Sequence, residues 1–186
     1  MNLLTLSALP FSAAHTWSKL SPRRPALSRV FAFTVLPLAL LPPVMLYLAG
    51  SLHSTMFPPE LARSSWASIA AVFFLAEILT LLALGWLIKQ VARSNGLPLD
   101  DHAAYLIAAL APIPLWLSSL GLLVPNLLFT VTLAAFALAL SCRAVYHGIV
   151  ELSGAREPVT AAWITQIAVG GALIPWVLLV AVLMTA

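Results

Sequence analysis

One stretch near the middle of the chain restricts the possible folds more than any other. Residues 103–124 carry no charged side chain over 22 positions, and roughly 20 apolar residues are enough to cross the hydrocarbon core of a bilayer. Pro112 and Pro114 interrupt the stretch, so carbonyl groups that lose their helical donor need neighbouring helices, hydroxyl side chains or local rewinding. The stretch therefore predicts a transmembrane helix that lies inside a bundle.

The residues on either side of this stretch indicate how the helix begins and ends. Asp100 and Asp101 precede it, and an acidic pair at this place is suited to capping a helix and complementing its dipole. Val124, Pro125 and Asn126 follow it. Because this connection is so short, the next span is expected to lie beside it in the antiparallel direction.

The composition extends this interpretation to the whole chain. Of the 186 residues, 62% are hydrophobic and 8% are charged, with a mean hydropathy of +1.03, whereas about 25% of residues are charged in soluble proteins. The single cysteine, Cys142, excludes a disulfide within the chain and a thiolate metal cage. We predict an all-α polytopic membrane protein with five transmembrane helices, at about residues 27–50, 66–88, 103–124, 127–149 and 159–185.

Residues 1–26 precede the first predicted span. A secretory signal places its positive charges before its apolar run, whereas here Lys19, Arg23 and Arg24 follow the apolar residues. We therefore expect the segment to be retained as a short tail. Its apolar residues, Trp17 among them, permit two interpretations: a short interfacial helix on the membrane surface, or a partly ordered tail.

The lysines and arginines predict the orientation of the bundle. With five spans, eight of the nine basic residues fall on the side of the N-terminus and Arg63 alone falls on the other side. By the positive-inside rule, the N-terminus is expected in the cytoplasm and the C-terminus outside. On neither side is there a soluble segment long enough to form a catalytic module.

A search for sites of chemistry gives mostly negative results. The motifs of the common metal-dependent, acyl-transfer and nucleotide-binding sites are missing, so we expect no enzyme, no cofactor and no nucleic-acid partner. His147 and Glu151 have the i, i+4 spacing of two ligands on one helix face, but a third ligand is not evident. Asp100 and Asp101, with His102 after them, could bind a cation, although helix capping also explains the acidic pair. No metal site is predicted.

Glu77 is the most unusual side chain in the predicted spans. It lies eleven residues after Trp66 and twelve before Lys89, about 17 Å from either end, which places it near the bilayer centre. An ionised carboxylate there is costly, by at least ~2.5 kcal/mol on insertion scales, so the group must face protein or water or be protonated. Two interpretations remain open: a proton or cation relay, or a hydrogen-bonded glutamate that fixes helix packing.

Other polar residues occur at similar depths in the fourth and fifth spans. Arg143 lies about 12 Å inside the expected cytoplasmic boundary, a depth from which its side chain can reach water, and His147 lies one turn further along the same face. Gln166 has a similar depth in the last span. An intramembrane polar cluster of Glu77, Arg143 and Gln166, with Tyr146 and His147 nearby, is possible if the second, fourth and fifth helices touch.

Small residues at a spacing of four occur in four of the spans. Such faces permit close approach of helices, and we expect them to pack inside the bundle. The pairs are Ala67 and Ala71, Ala104 and Ala108, Ala135 and Ala139, and Ala168 and Ala172.

The third span and the turn after it resemble the bacterial branch of the Yip (Ypt-interacting protein) family. The resemblance rests on an alanine-tyrosine pair, a proline, a leucine, a small residue and a distal proline, and the matching positions are Tyr105, Pro112, Leu117, Gly121 and Pro125. It extends from about residue 30 to the end, so residues 27–186 are interpreted as a Yip-like transmembrane domain behind a short tail.

This resemblance implies a multi-pass protein of the bacterial inner membrane. Eukaryotic members are linked to Rab GTPases and membrane trafficking and carry a long polar N-terminal domain. This chain has only about 26 residues there, which argues against GTPase binding. We interpret the protein as a membrane scaffold or adaptor whose partners are the lipid bilayer and another membrane protein or a second copy of itself. The alternative is a small proton- or cation-linked transporter or channel that uses Glu77.

Overall fold

The regular structure in the described part of the chain is all helical. The computed structural model describes residues 17–18, 24–53, 57, 65–154 and 158–185, with the side chains of the last helix described as far as Val177. Five helices in these residues are long and apolar enough to cross a membrane. They are Leu27–Leu52, Trp66–Ser94, Asp101–Leu123, Leu127–Ser153 and Pro158–Thr185. The prediction of an all-α, five-span membrane protein is confirmed.

The third span is the central helix of the bundle. Of its most apolar window, 56% is buried inside the protein, against 11% for the second span. It packs against the first, second and fourth spans, and the second span also packs against the fifth. Phe73 and Trp176 meet at this last interface, with ring centroids 4.7 Å apart. The stretch that predicts a bundle therefore forms its core.

The third span consists of three helical pieces, and both prolines lie where the second piece begins. An α-helix ends at Leu110, a second covers Ile113–Ser118, and a tighter 3-10 helix, Ser119–Leu123, completes the crossing. The expected local rewinding therefore occurs in this span, next to the prolines that remove helical hydrogen bonds.

The first span changes its winding next to its first proline. Phe31–Val35 forms a π-helical turn, in which the amide of Leu36 donates to the carbonyl of Phe31. A proline ring at position 37 crowds the carbonyl four residues earlier in an α-helix, and the wider π turn precedes this position directly. A new α-helix, Leu41–Leu52, then begins with two prolines in its first turn, where no amide donor is needed.

Two helices extend further than predicted, because both end at residues suited to stopping a helix. The second span ends at Ser94 and not near residue 88, and Gly96 adopts a φ of +69°. The amide of Leu97 bonds the carbonyl of Ala92 and that of Gly96 bonds Arg93, which is the Schellman arrangement. The fourth span continues past residue 149 to Ser153 and ends at a left-handed glycine, residue 154.

One end of the bundle carries the described basic residues. Arg24 lies 2.8 Å from a carboxylate oxygen of Asp100, and Lys89 lies 2.6 Å from one of Asp101. We call this end, where residues 24–26, 95–100 and 154 lie, the basic end. The lysines and arginines described in the structure all lie in the half of the bundle next to it: Arg24, Arg29, Lys89, Arg93 and Arg143.

The expectation about small-residue faces is right for two spans and wrong for two. The alanine pairs of the third and fifth spans are buried inside the bundle. Those of the second and fourth spans, 67 with 71 and 135 with 139, are exposed on its outer surface. Alanine is apolar enough to face lipid, so spacing alone does not identify the packed side of a helix. In the second span the close approach occurs instead at Gly85, where a side chain would collide with the ring of Tyr105.

Candidate functional site

Glu77 lies at the interface of the second and third spans. Its side chain is partly buried, and the Trp116 side chain is near enough to donate a hydrogen bond to it. Trp116 belongs to the second piece of the proline-divided third span and is 4% exposed. The other carboxyl oxygen, Oε2, is buried and has no partner among the described residues. Glu77 therefore joins two spans but retains one unused acceptor.

A groove between the fourth and fifth spans collects the other polar residues. It has a volume of about 540 Å³ and is lined by Arg143, Tyr146 and Gln166, together with Cys142, Ala162, Thr165, Val169 and Gly170. Arg143 and Gln166 are exposed and Tyr146 is half-buried. We call this feature the 4/5 groove.

The predicted polar cluster is thus divided between two places. Arg143, Tyr146 and Gln166 line the 4/5 groove, and His147 lies edge-on to the Tyr146 ring with centroids 5.2 Å apart. Glu77 does not line the groove. The described parts of the second and fourth spans share no substantial interface, so the contact that the cluster requires is not made.

Small residues keep the 4/5 groove open. A side chain built at Gly170 would meet no other atom within 4 Å, whereas one at the neighbouring Gly171 would lie 3.0 Å from Leu87 of the second span. The two glycines therefore face different surroundings, as expected for neighbours about 100° apart on the helix. The hydroxyl of Thr165 donates to the carbonyl of Ala161 in its own helix, which leaves Arg143, Tyr146 and Gln166, with the Cys142 thiol, as the polar groups presented to a ligand.

Asp100 caps the third span as the sequence predicts. Its Oδ1 accepts a 2.8 Å hydrogen bond from the amide of Ala103, and its Oδ2 binds Arg24. The hydrogen bond from Ala103 is the main cause that lowers the pKa of Asp100, with smaller contributions from Arg24 and His102. The ionised form is the one that caps the helix.

The neighbours of Asp100 also have structural partners. Asp101 pairs with Lys89, and the Nε2 atom of His102 lies 2.9 Å from the carbonyl oxygen of Pro25, which accepts. Among the residues that the structure describes, no three histidine, cysteine or acidic side chains are placed to hold a metal ion together. Capping and tail attachment thus account for the acidic pair and its histidine.

Trp17 is a site residue that the sequence analysis did not single out. The interfacial-helix interpretation concerns residues that mostly lie outside the described part of the chain, but Trp17 is described, is helical and is fully buried. Its Nε1 donates a 3.0 Å hydrogen bond to the carbonyl of Ala144. Its ring would lie 3.1 Å from a side chain at Gly148. In the sequence, the signal for such a contact is Gly148, which lies one turn after Ala144 in the polar end of the fourth span.

The positions that carry the family resemblance are mostly structural. Tyr105 packs on the second span, Pro112 divides the third span, and a side chain at Gly121 would collide with Leu133 of the fourth. Pro125 lies in the exposed connection to the fourth span, and Leu117 is 39% exposed. These positions shape the hairpin of the third and fourth spans.

The comparison with protein families agrees with this architecture. The model of the Yip1 domain matches residues 7–185, nearly the whole chain. The chain belongs to the Yip family. The matched region begins before Trp17, so it includes the docked part of the Yip tail as well as the five spans. Neither the curated proteins nor the solved structures gave a significant match.

Proposed function

We propose that this Yip-family membrane protein is a scaffold, which holds a partner protein at the membrane surface without catalytic turnover. The observation that carries the proposal is the attachment of the N-terminal segment to the basic end. Trp17 binds the fourth span, while Arg24 and Pro25 bind the start of the third. Residues distant in sequence are thereby held together in the half of the bundle next to this end, and a fixed composite surface suits protein recognition.

The place and orientation of this surface follow from its charge. We propose the bacterial inner membrane as the location, with the basic end facing the cytoplasm, because eight of the nine basic residues belong to that side of a five-span chain. The partner is a membrane-associated protein or a second copy of the chain. GTPase binding is not part of the proposal.

The alternative is a proton- or cation-linked transporter, and one observation favours it. Glu77 Oε2 is a buried acceptor without a partner in the described part of the chain, as a group that takes up a proton near mid-membrane would be. The other described acids, Asp100, Asp101 and Glu151, lie towards the basic end, so none extends a relay from Glu77 across the bundle. This supports the scaffold over the transporter.

Site-directed photo-crosslinking in native membranes tests the scaffold. A photo-reactive benzoylphenylalanine is placed at Gln90, which is exposed near the basic end, and in a control at Leu128, which is 77% exposed at the other end. We expect a discrete adduct from position 90 only, and its loss when Trp17→Ala detaches the tail. Adduct mass distinguishes a second copy from another protein. Absence of a discrete adduct, or one that persists in Trp17→Ala, overturns the proposal.

A further inference from the structure

The 4/5 groove combines one cationic side chain with an apolar channel on the outer surface of the bundle. We propose that it binds an anionic phospholipid of the surrounding bilayer, with the phosphate on Arg143 and an acyl chain along Val169 and Gly170. This inference goes beyond the scaffold proposal and does not depend on it.

Arg143 supplies the charge complementarity. It is exposed inside a span, ten residues before Ser153, which is about 15 Å along the helix. No salt bridge links it to any acid among the described residues, and Glu151 on the same face is about 12 Å further along. An arginine at such a depth directs its guanidinium towards the headgroup layer. Phosphate oxygens match the planar, bidentate donors of that group.

Gln166 and Tyr146 add polar atoms beside Arg143. Both line the same groove, one from each helix. An amide and a phenol can bond the phosphate or the ester oxygens of a lipid, which lie just below the headgroup. The polar part of the 4/5 groove therefore has the composition that a glycerophosphate region requires.

The apolar part of the groove accommodates a chain. Ala162 and Gly170 leave space between the two helices, and no atom lies within 4 Å of the position where a Gly170 side chain would begin. A volume of about 540 Å³ falls in the ordinary range of ligand sites. Because the groove opens on the outer surface of the spans, a bilayer lipid reaches it before any water-soluble ligand does.

Native mass spectrometry of the purified full chain tests whether the charge of Arg143 selects an anionic lipid. The protein is mixed with phosphatidylglycerol or phosphatidylcholine of identical acyl chains, and retained lipid is counted. We expect the wild type to retain phosphatidylglycerol preferentially. Arg143→Gln should reduce that preference at least about fivefold, the effect of one basic residue near a lipid surface, and Arg143→Lys should reduce it less. Arg93→Gln is the matched control, because Arg93 is exposed at the basic end but outside the groove.

A second variant tests the channel without changing charge. Gly170→Leu extends into open space, so the fold is expected to persist while the groove is filled. Ala139→Leu adds bulk to the exposed surface of the fourth span outside the groove and serves as its control. Lower retention of phosphatidylglycerol in Gly170→Leu alone supports the proposal. Equal retention of both lipids by the wild type, or equal effects of either variant and its control, overturns it.

Discussion

The indole of Trp17 donates its hydrogen bond to the carbonyl of Ala144 across 127 positions of sequence. The ring lies against Gly148 on the next turn of the same helix, where Ile107 of the third span also approaches. Trp17 is thus inserted between the third and fourth spans. A residue of the segment that composition describes as a short tail is therefore part of the core.

Removing Trp17 should destabilise the bundle. Trp17→Ala deletes a fully buried aromatic side chain and should lower the free energy of unfolding by about 3–5 kcal/mol. Trp17→Phe keeps most of the ring but loses the donor, so a loss of about 1 kcal/mol from the hydrogen bond is expected, plus a packing contribution. Denaturant unfolding in detergent measures both. Trp163→Ala is the control, because Trp163 is 55% exposed; equal losses for the two tryptophans would show that Trp17 is not a core residue.

The glycine beneath Trp17 should tolerate no side chain. A Cβ at Gly148 would lie 2.8 Å from Ile107 and 3.1 Å from Trp17, so Gly148→Ala should destabilise by about 1–3 kcal/mol through overpacking. Gly170→Ala meets open space and should be neutral or stabilising by up to about 1 kcal/mol, since alanine favours the helix. Melting temperatures of the two variants test this. A stable Gly148→Ala protein would contradict the contact.

Glu77 distinguishes the scaffold from the transporter. Glu77→Gln keeps the shape and the acceptor for Trp116 while removing the exchangeable proton, so fold and crosslinking at position 90 should persist. Glu77→Leu leaves the buried Trp116 donor without its partner, which should lower stability by about 1–3 kcal/mol. Proton flux into liposomes that contain the wild type or the Glu77→Gln variant should equal the background of empty liposomes. A wild-type flux that Glu77→Gln abolishes would establish the transporter instead.

Asp100 should make stability depend on acid pH. Its folded pKa is lowered, chiefly by the Ala103 amide, so its contribution is fully present above the unfolded pKa of about 3.9 and is lost as pH falls through the folded pKa. Asp100→Ala should lower stability at pH 7 by about 1 kcal/mol, as expected for a lost cap, and should flatten the decline below about pH 4. Unfolding measured between pH 3 and 7 tests this. Asp101→Ala, which loses only an exposed ion pair, should leave the dependence of unfolding free energy on pH nearly unchanged.

The orientation of the spans remains a prediction with a direct test. Reporter fusions after Ser94 and Gly154 should report the cytoplasm, because both positions follow spans that end at the basic end. Fusions after Ser54 and Ala186 should report the outside. An outside signal at Gly154 would contradict the proposed orientation.

Counting residues along a span gives the depth of a side chain in the membrane but does not identify the side chains that it contacts. The distance of Glu77 and Arg143 from the ends of their helices could be read from the sequence, as could the interruption of the third span at Pro112. Which faces meet depends on how the helices pack: Glu77 lies beside Trp116 of the third span, while Arg143 and Gln166 line the 4/5 groove. Hydrophobicity cannot distinguish a lipid-facing surface from a core-facing one, because both are apolar.

For the same reason, the sequence did not show which alanine pairs are exposed or that Trp17 is buried. Ala139 is exposed although its spacing fits a packed face. The partners of Trp17 are distant in sequence: one is a backbone carbonyl, which leaves no residue-type pattern, and the other is Gly148, whose residue type permits a close contact but does not identify the partner. By contrast, the second and fourth helices end at Gly96 and Gly154, both with positive φ. These glycines are a local sequence signal that predicts where the two helices end.

The π turn at Phe31–Val35 gives the first span a property that no side chain carries. A π turn holds about one residue more than an α turn, and one residue corresponds to a rotation of about 100° around the helix axis. The turn thus fixes the azimuth of everything after it, including Gly50, on which the Trp66 ring packs. Deleting one residue there would restore an α-helical turn and leave Gly50 facing Trp66, whereas winding all five residues as α-helix would turn Gly50 away by about 100°. In this segment the winding of the backbone, more than the chemical character of the side chains, determines which surfaces meet.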